Sequence, residues 1–104
     1  MAWLYLAAAA VFEVIFAVSM KASEGFTRPL ATLITVLGVV GGITCLTLAM
    51  RTIPVSLAYP IWTAAGAFGT VVLGFVFFGE GLSGLKVLGL IAIIAGVASL
   101  RAAA

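Results

Sequence analysis

Charged residues are scarce in this sequence, and histidine is absent. Only 8% of the 104 residues are charged, five Lys or Arg against three acidic residues, whereas 65% are hydrophobic. An ordinary soluble domain carries roughly a quarter charged residues, so a soluble globular fold is excluded. The net charge of +2 comes without a cluster of Lys and Arg, and nucleic-acid binding needs such a basic patch. We therefore expect no nucleic-acid partner.

Cysteine and metal ligands are equally scarce. The single cysteine, Cys45, lies inside an apolar run, which excludes a disulfide framework and predicts a small packing residue. Without histidine or clustered acids we expect no metal site. No combination of nucleophile, base and oxyanion donor is visible either, so we expect neither an enzyme nor a bound cofactor.

Long apolar runs are what the sequence has in abundance. A membrane-spanning helix needs about 20 mostly apolar residues, and all charged residues except Glu13 fall near the ends of four such runs. We predict an all-α integral membrane protein with a single four-helix transmembrane domain over residues 1–104 and spans at about 2–20, 30–50, 55–78 and 83–101. The fourth run has only 14 charge-free residues, so three spans plus an interfacial helix is the alternative.

The connections between the runs are short, which makes neighbouring helices antiparallel. With four spans, both termini share a side with Arg51 and Arg101, and the other side carries Lys21, Arg28 and Lys86. Orientation is set by a bias of Lys and Arg between the two sides. Two basic residues on one side against three on the other leave two alternatives open: one dominant orientation, or insertion in both orientations with head-to-tail pairing.

Small residues recur at four-residue spacing on the last two predicted spans. Gly66, Thr70 and Gly74 form one such series on the third span. Small side chains at that spacing let helix backbones approach closely, either within one chain or between two chains. As dimer contacts on the fourth span we expect Ala92 with Gly96 and Ala95 with Ser99.

Glu13 is an acidic residue near the middle of the first predicted span. A helix that starts near Ala2 places it about 18 Å along the axis, just past the middle of the bilayer. An ionisable group at that depth is by default a functional-site hypothesis, and a hydrogen-bonded structural acid is the alternative. Among the other predicted spans only the fourth contains Lys or Arg, and its Lys86 and Arg101 lie at opposite ends of the span, away from the depth of Glu13. Glu13 therefore has no permanent counter-ion, and it can hold a proton or a cation but not both.

Aromatic and small residues surround the predicted site. One face of the third span carries Tyr59, Trp62, Thr63 and Gly66, and aromatic rings bind cations through their π faces. The face around Glu13 carries mostly small side chains, which leaves room for a ligand, and glycines thin the second span. We expect the pocket to be lined by Ala9, Ala10, Phe16, Ala17, Gly42, Tyr59, Trp62 and Thr63. Pro60 is expected to bend the third helix or delay its start.

These motifs resemble those of the small multidrug resistance family of proton-coupled exporters. The resemblance rests on FEV around Glu13, MKASEGFTR at 20–28, AYPIWTAAG at 58–66 and FFGE at the end of the third span. It implies an antiparallel, dual-topology homodimer that spans the bacterial inner membrane several times. It also implies that Glu13 of both subunits binds proton and substrate in competition, with Tyr59 and Trp62 lining the site.

The resemblance also bears on the substrate. Guanidinium exporters of this family typically carry Trp at position 16 and Ser at position 42, where this chain has Phe16 and Gly42. We therefore expect proton-coupled antiport of hydrophobic organic cations, such as quaternary ammonium compounds, by alternating access. The expected partners are a second copy of the chain, the lipid bilayer, small organic cations and protons. Guanidinium export is the alternative within the family, and a non-transporting membrane scaffold is the alternative from another class.

Overall fold

The computed structural model of the chain, described for residues 1–103, is a bundle of four α-helices. Helix α1 spans Ala2–Ala22, α2 spans Pro29–Ala49, α3 spans Val55–Phe78 and α4 spans Gly84–Ala102. All four are long and apolar enough to cross a membrane, which confirms the prediction of four long apolar helices. Their ends differ from the predicted spans by at most two residues.

Helix α1 is the centre of the bundle. It packs most extensively on α2 and also on α3, while α4 packs against α3. Because consecutive helices run in opposite directions, residues near 1, 50 and 101 lie at one end, which we call the terminal end. Residues near 22, 29, 79 and 84 lie at the other, which we call the loop end. Cys45 is unpaired and packs against a buried apolar cluster near the terminal end, formed by Leu6, Ala9, Leu46, Ala49, Ile53, Ala58 and Ile61.

The first connection is a tight turn built around Ser23. The buried Ser23 hydroxyl donates a hydrogen bond to the Met20 carbonyl at 2.7 Å and accepts one from the Phe26 backbone N–H at 3.1 Å. Glu24, Gly25 and Phe26 have φ angles of 49°, 74° and 66°, a region that only glycine enters without strain. The bonds of Ser23 hold this backbone in place. These bonds explain the serine of the MKASEGFTR motif, and the left-handed φ of Gly25 explains its glycine.

The close approach of α1 and α2 depends on glycines in α2. A Cβ at Gly38 would lie 2.8 Å from the Phe16 Cβ and 3.2 Å from the Phe16 backbone nitrogen. A Cβ at Gly41 would lie 2.7 Å from the Phe12 ring. A backbone atom cannot swing away as the end of a side chain can, so Gly38 sets the distance between the two helices. The glycines of the second span therefore make room for α1.

Helix α4 is the least embedded helix, and none of its residues is buried. Its last turn is tied to α1 by a cation–π contact, in which the Arg101 guanidinium lies 5.2 Å from the centroid of the Trp3 ring. Gly66 and Gly74 of α3 are buried, so that series of small residues packs within the chain. The small residues of α4 face outwards, and all of them are exposed: Ala92, Ala95, Gly96 and Ser99.

Pro60 lies inside α3 and does not delay its start. The helix begins at Val55 and continues through Pro60 to Phe78. Proline has no N–H, so the Ser56 carbonyl loses its helical hydrogen-bond partner. Ser56 is exposed near the terminal end, so the carbonyl that lacks a helical partner belongs to an exposed residue. Of the two effects expected of Pro60, the delayed start is therefore wrong, and the bend of the helix stays a prediction.

We predict that Gly38→Ala destabilises the fold by about 1–3 kcal/mol, because the added methyl group forces apart the backbones of α1 and α2. Gly89→Ala on α4 is the matched control, since a Cβ there meets no atom within 4 Å. Where the added methyl group meets no neighbour, replacing a helical glycine by alanine raises the free energy of unfolding by up to about 1 kcal/mol. Denaturant unfolding of the purified protein in detergent, followed by circular dichroism, measures both variants. Equal unfolding midpoints would contradict the tight packing of α1 on α2.

Candidate functional site

The centre of the candidate site is Glu13, on the face of α1 that meets α3. Its Oε2 atom is buried and makes no hydrogen bond with any described residue. Two ion pairs exist in the described part of the chain, and Glu13 takes part in neither. A buried charge without a partner is strongly disfavoured. The carboxyl group must therefore be neutralised by a proton or by a cation from outside the chain.

Helix α3 reaches Glu13 through Gly66. A Cβ added at Gly66 would overlap the Cγ, Cδ and Oε2 atoms of Glu13, so the carboxylate occupies the space that any side chain at position 66 would need. The Gly66 carbonyl accepts a hydrogen bond from the Thr70 hydroxyl at 2.7 Å. A glycine at this position is what allows the carboxylate to lie between α1 and α3.

Trp62 lies about one helical turn from Glu13 along the contact of α1 with α3. Its indole N–H donates a hydrogen bond to the Ala9 carbonyl across the α1–α3 contact at 3.0 Å, and such a bond fixes the orientation of the ring. Tyr59 meets Trp62 edge to face, with ring centroids 5.3 Å apart and an interplanar angle of 68°. Tyr59 is 52% exposed and Thr63 is also exposed. Trp62 is thus directed into the chain, and its two neighbours face outwards.

Helix α2 meets α1 at the level of Glu13 through the buried Gly42. A Cβ at Gly42 would lie 3.2 Å from the Phe12 Cβ, 3.7 Å from the Ala9 carbonyl oxygen and 3.9 Å from the Glu13 backbone nitrogen. A side chain at position 42 would therefore press on the stretch of α1 that carries Glu13. This position can influence the carboxylate through the backbone that supports it.

The structure gathers some of the predicted pocket residues and separates others. The contact of α1, α2 and α3 around Glu13 includes Ala9, Gly42 and Trp62. Ala10 lines a cavity of about 290 Å³ between α1, α3 and α4, which Trp62 also lines. Ala17 lines a cavity of about 170 Å³ towards the loop end. Phe16 packs its backbone against α2, and Tyr59 and Thr63 face away from the chain.

Sequence reasoning missed two features of this region. It did not identify Gly66 as the neighbour of Glu13, and it did not foresee an ion pair at the loop end, where the Lys21 Nζ lies 4.0 Å from the Glu80 Oε2. The four-residue spacing of small residues on α3 was the available signal. That spacing predicts a close approach, but it does not say which side chain comes close.

Comparison with known proteins extends over nearly the whole chain. A family model described as Small Multidrug Resistance protein matches residues 1–93. A guanidinium exporter of Yersinia pseudotuberculosis is 40% identical over 103 residues, which is 99% of each chain. A guanidinium exporter of Citrobacter freundii is 39% identical over 97% of this chain and 96% of its own. One from Salmonella typhimurium strain LT2 is 38% identical over 100% of this chain and 99% of its own.

The family match confirms the resemblance seen in the motifs. It covers α1, α2 and α3 and continues into α4, and the relatives match along almost their full lengths. Four helices that can cross a membrane, together with bacterial relatives that are transporters, indicate a multi-pass protein of the bacterial inner membrane. The chain belongs to the small multidrug resistance family of membrane transporters.

Proposed function

We propose that this chain exports small organic cations of the guanidinium class in exchange for protons, and that Glu13 binds each of them in turn. The observation that carries this proposal is the buried Oε2 of Glu13, which has no hydrogen bond and no counter-ion among the described residues. The relatives at 38–40% identity are named guanidinium exporters. They support guanidinium export better than the hydrophobic-cation export that we expected from the sequence.

Competition at one carboxyl group couples the two movements. A proton neutralises Glu13, and so does a bound cation, but both together would leave an excess positive charge in an apolar setting. Cation binding therefore requires the proton to leave, and reprotonation releases the cation. If the protein changes its open side only when Glu13 is neutral, proton flow in one direction drives cation flow in the other.

A guanidinium ion suits the groups around Glu13. A carboxylate accepts two parallel hydrogen bonds from one edge of a guanidinium group, and the flat face of the cation stacks on aromatic rings. Trp62 is fixed about one helical turn from Glu13 by its bond to Ala9, and Tyr59 contacts Trp62 edge to face. These two rings and the carboxylate supply one charged and one aromatic surface for such a cation.

The working unit that we propose is an antiparallel homodimer. In one chain the Tyr59 and Thr63 side chains are exposed, so the surface that they form faces away from the rest of the described chain. A second copy would close the pocket from that side and bring a second Glu13. The outward series of small residues on α4 would form the contact between the copies, since such spacing permits close helix packing: Ala92, Ala95, Gly96 and Ser99.

A second candidate is the export of hydrophobic organic cations such as quaternary ammonium compounds. Phe16 and Gly42 favour it, because they stand where the family resemblance implies the Trp and Ser of guanidinium exporters. No polar side chain at position 42 therefore lies beside Glu13. The cavity of about 290 Å³ next to Trp62 has a mainly apolar lining, and it offers space for bulky substituents.

We predict that Glu13→Gln reduces proton-coupled transport to the background level, because an amide of the same size cannot release and rebind a proton. The measurement is proton flux driven by a guanidinium gradient in proteoliposomes that contain a pH-sensitive dye. Glu24→Gln is the control, since this exposed acid pairs with Arg28 in the first connection and should keep the parent rate. Flux through Glu13→Gln with an unchanged pH dependence would rule out the mechanism.

We predict that Gly66→Ala weakens guanidinium binding at least tenfold, because the added methyl group takes the space of the Glu13 carboxylate. A tenfold loss corresponds to about 1.4 kcal/mol. Calorimetric titration of the purified protein in detergent measures the dissociation constant. Gly89→Ala, which adds a methyl group in open space on α4, should bind as the parent does. If both variants bind equally well, the carboxylate position is not what Gly66 secures.

We predict a higher kcat/KM for guanidinium than for tetrapropylammonium in proteoliposome assays of the parent protein. Gly42→Ser should increase this preference about tenfold, since one hydrogen bond to a charged group contributes about 1.5–3 kcal/mol. Gly42→Ala is the matched control, because it adds the same first atom without a hydroxyl. Transport of tetrapropylammonium without transport of guanidinium would refute the guanidinium proposal in favour of the second candidate.

A further inference from the structure

A cavity of about 170 Å³ lies between α1 and α3, towards the loop end from Glu13. Ala17 lines it four residues beyond Glu13, and Thr70 lines it four residues beyond Gly66, a distance of about 6 Å along each axis. At roughly 30 Å³ for each molecule, the cavity has room for about six waters. It thus begins about one turn from Glu13 and Gly66, neither of which lines it, and reaches the loop end of the bundle.

Thr70 gives this cavity a polar group on its inner side. The Thr70 hydroxyl donates its hydrogen to the Gly66 carbonyl at 2.7 Å, which leaves its oxygen free to accept a hydrogen bond. Gly66 is the residue against which the Glu13 carboxylate lies. Water in the cavity would therefore meet an acceptor one turn away from the site of proton exchange.

Lys21 and Glu80 form the outer edge of the same cavity. The Lys21 Nζ lies 4.0 Å from the Glu80 Oε2, and the two side chains are 63% and 49% exposed. An exposed ion pair contributes little to stability and separates easily. The pair links the end of α1 to the segment that follows α3.

The backbone folds Glu80 back over the end of α3. Gly79 has a left-handed φ of 63°, and the Glu80 N–H donates a hydrogen bond to the Gly74 carbonyl at 3.2 Å. The Glu80 Oε1 lies where a Cβ of Gly74 would be. A carboxylate at the C-terminal end of a helix is opposed by the helix dipole. The attraction of Lys21 therefore holds Glu80 in a position that its own helix disfavours.

We propose that Lys21 and Glu80 form a latch over an access route by which water and protons reach Glu13 from the loop end. The latch separates when Glu13 exchanges its occupant on that side and closes again afterwards. Lys21 and Glu80 act as positioning residues and do not touch the transported cation. The inference rests on the proposed proton-coupled function. In an antiparallel dimer the two latches would lie at opposite faces of the membrane, so opening one at a time admits protons from one side only.

The test measures access to the cavity without any transport. Thr70→Cys, in a Cys45→Ala background, is treated with a charged methanethiosulfonate reagent present on both sides of proteoliposomes. Lys21→Gln and Glu80→Gln should each raise the rate of modification about fivefold.

The charge-reversed pair separates loss of the latch from damage to the fold. Lys21→Glu combined with Glu80→Lys should return the modification rate of Thr70→Cys to within about twofold of the parent. The control position is Thr47→Cys on α2, exposed near the terminal end, where Thr47 donates to the Ile43 carbonyl much as Thr70 donates to the Gly66 carbonyl. Its modification rate should be the same in all latch variants.

Two outcomes would overturn the latch: equal modification of Thr70→Cys in the parent and the single variants, or failure of the reversed pair to restore the parent rate. Proton flux is measured separately on the same preparations. If the modification rate of Thr70→Cys depends on the ion pair but the protein moves no protons, the proposed function is refuted and the latch is supported. If proton flux is normal but the modification rate of Thr70→Cys does not depend on Lys21 and Glu80, the latch is refuted and the proposed function is supported.

Discussion

A carboxyl group surrounded by apolar helices has to be neutral at all times, because an unpaired charge in that setting is strongly disfavoured. The described part of the chain offers Glu13 no cation and no hydrogen-bond donor, so neutrality has to come from species that arrive and leave. In the proposed function, this one constraint makes an unfavourable residue into an exchange site. The packing around Glu13 then decides which species fit and from which side they come.

Glycines position this carboxylate as much as any polar group does. Gly38 brings α2 against the backbone of α1 at Phe16, Gly42 does the same at the level of Glu13, and Gly66 leaves space for the carboxylate on α3. Glycines on α2 and α3 therefore let both helices approach the stretch of α1 that carries Glu13. The fourth helix stands apart from this contact, which leaves its small residues available to another chain or to lipid.

The sequence was sufficient for the four helices and for Glu13, because both follow from composition along the chain. Long apolar runs bounded by charges predict helices, and one acid within such a run is visible without any knowledge of packing. The partners of Glu13 were not visible. That Gly66 of α3 meets it, and that Glu80 folds back to Lys21, depends on how helices distant in sequence rotate against each other. Periodicity assigns a residue to a helix face, but it does not say which helix that face meets.

The two ends of the bundle are closed by interactions of different strength. Buried apolar side chains and the Arg101–Trp3 contact hold the helices together near the terminal end, while an exposed ion pair joins α1 to the segment after α3 at the loop end. Exposing buried apolar surface is far more unfavourable than separating an exposed ion pair. In the proposed function, the loop end is therefore the end that separates more easily. If two chains pair in opposite orientations, as proposed, one such end lies at each face of the membrane, as alternating access requires.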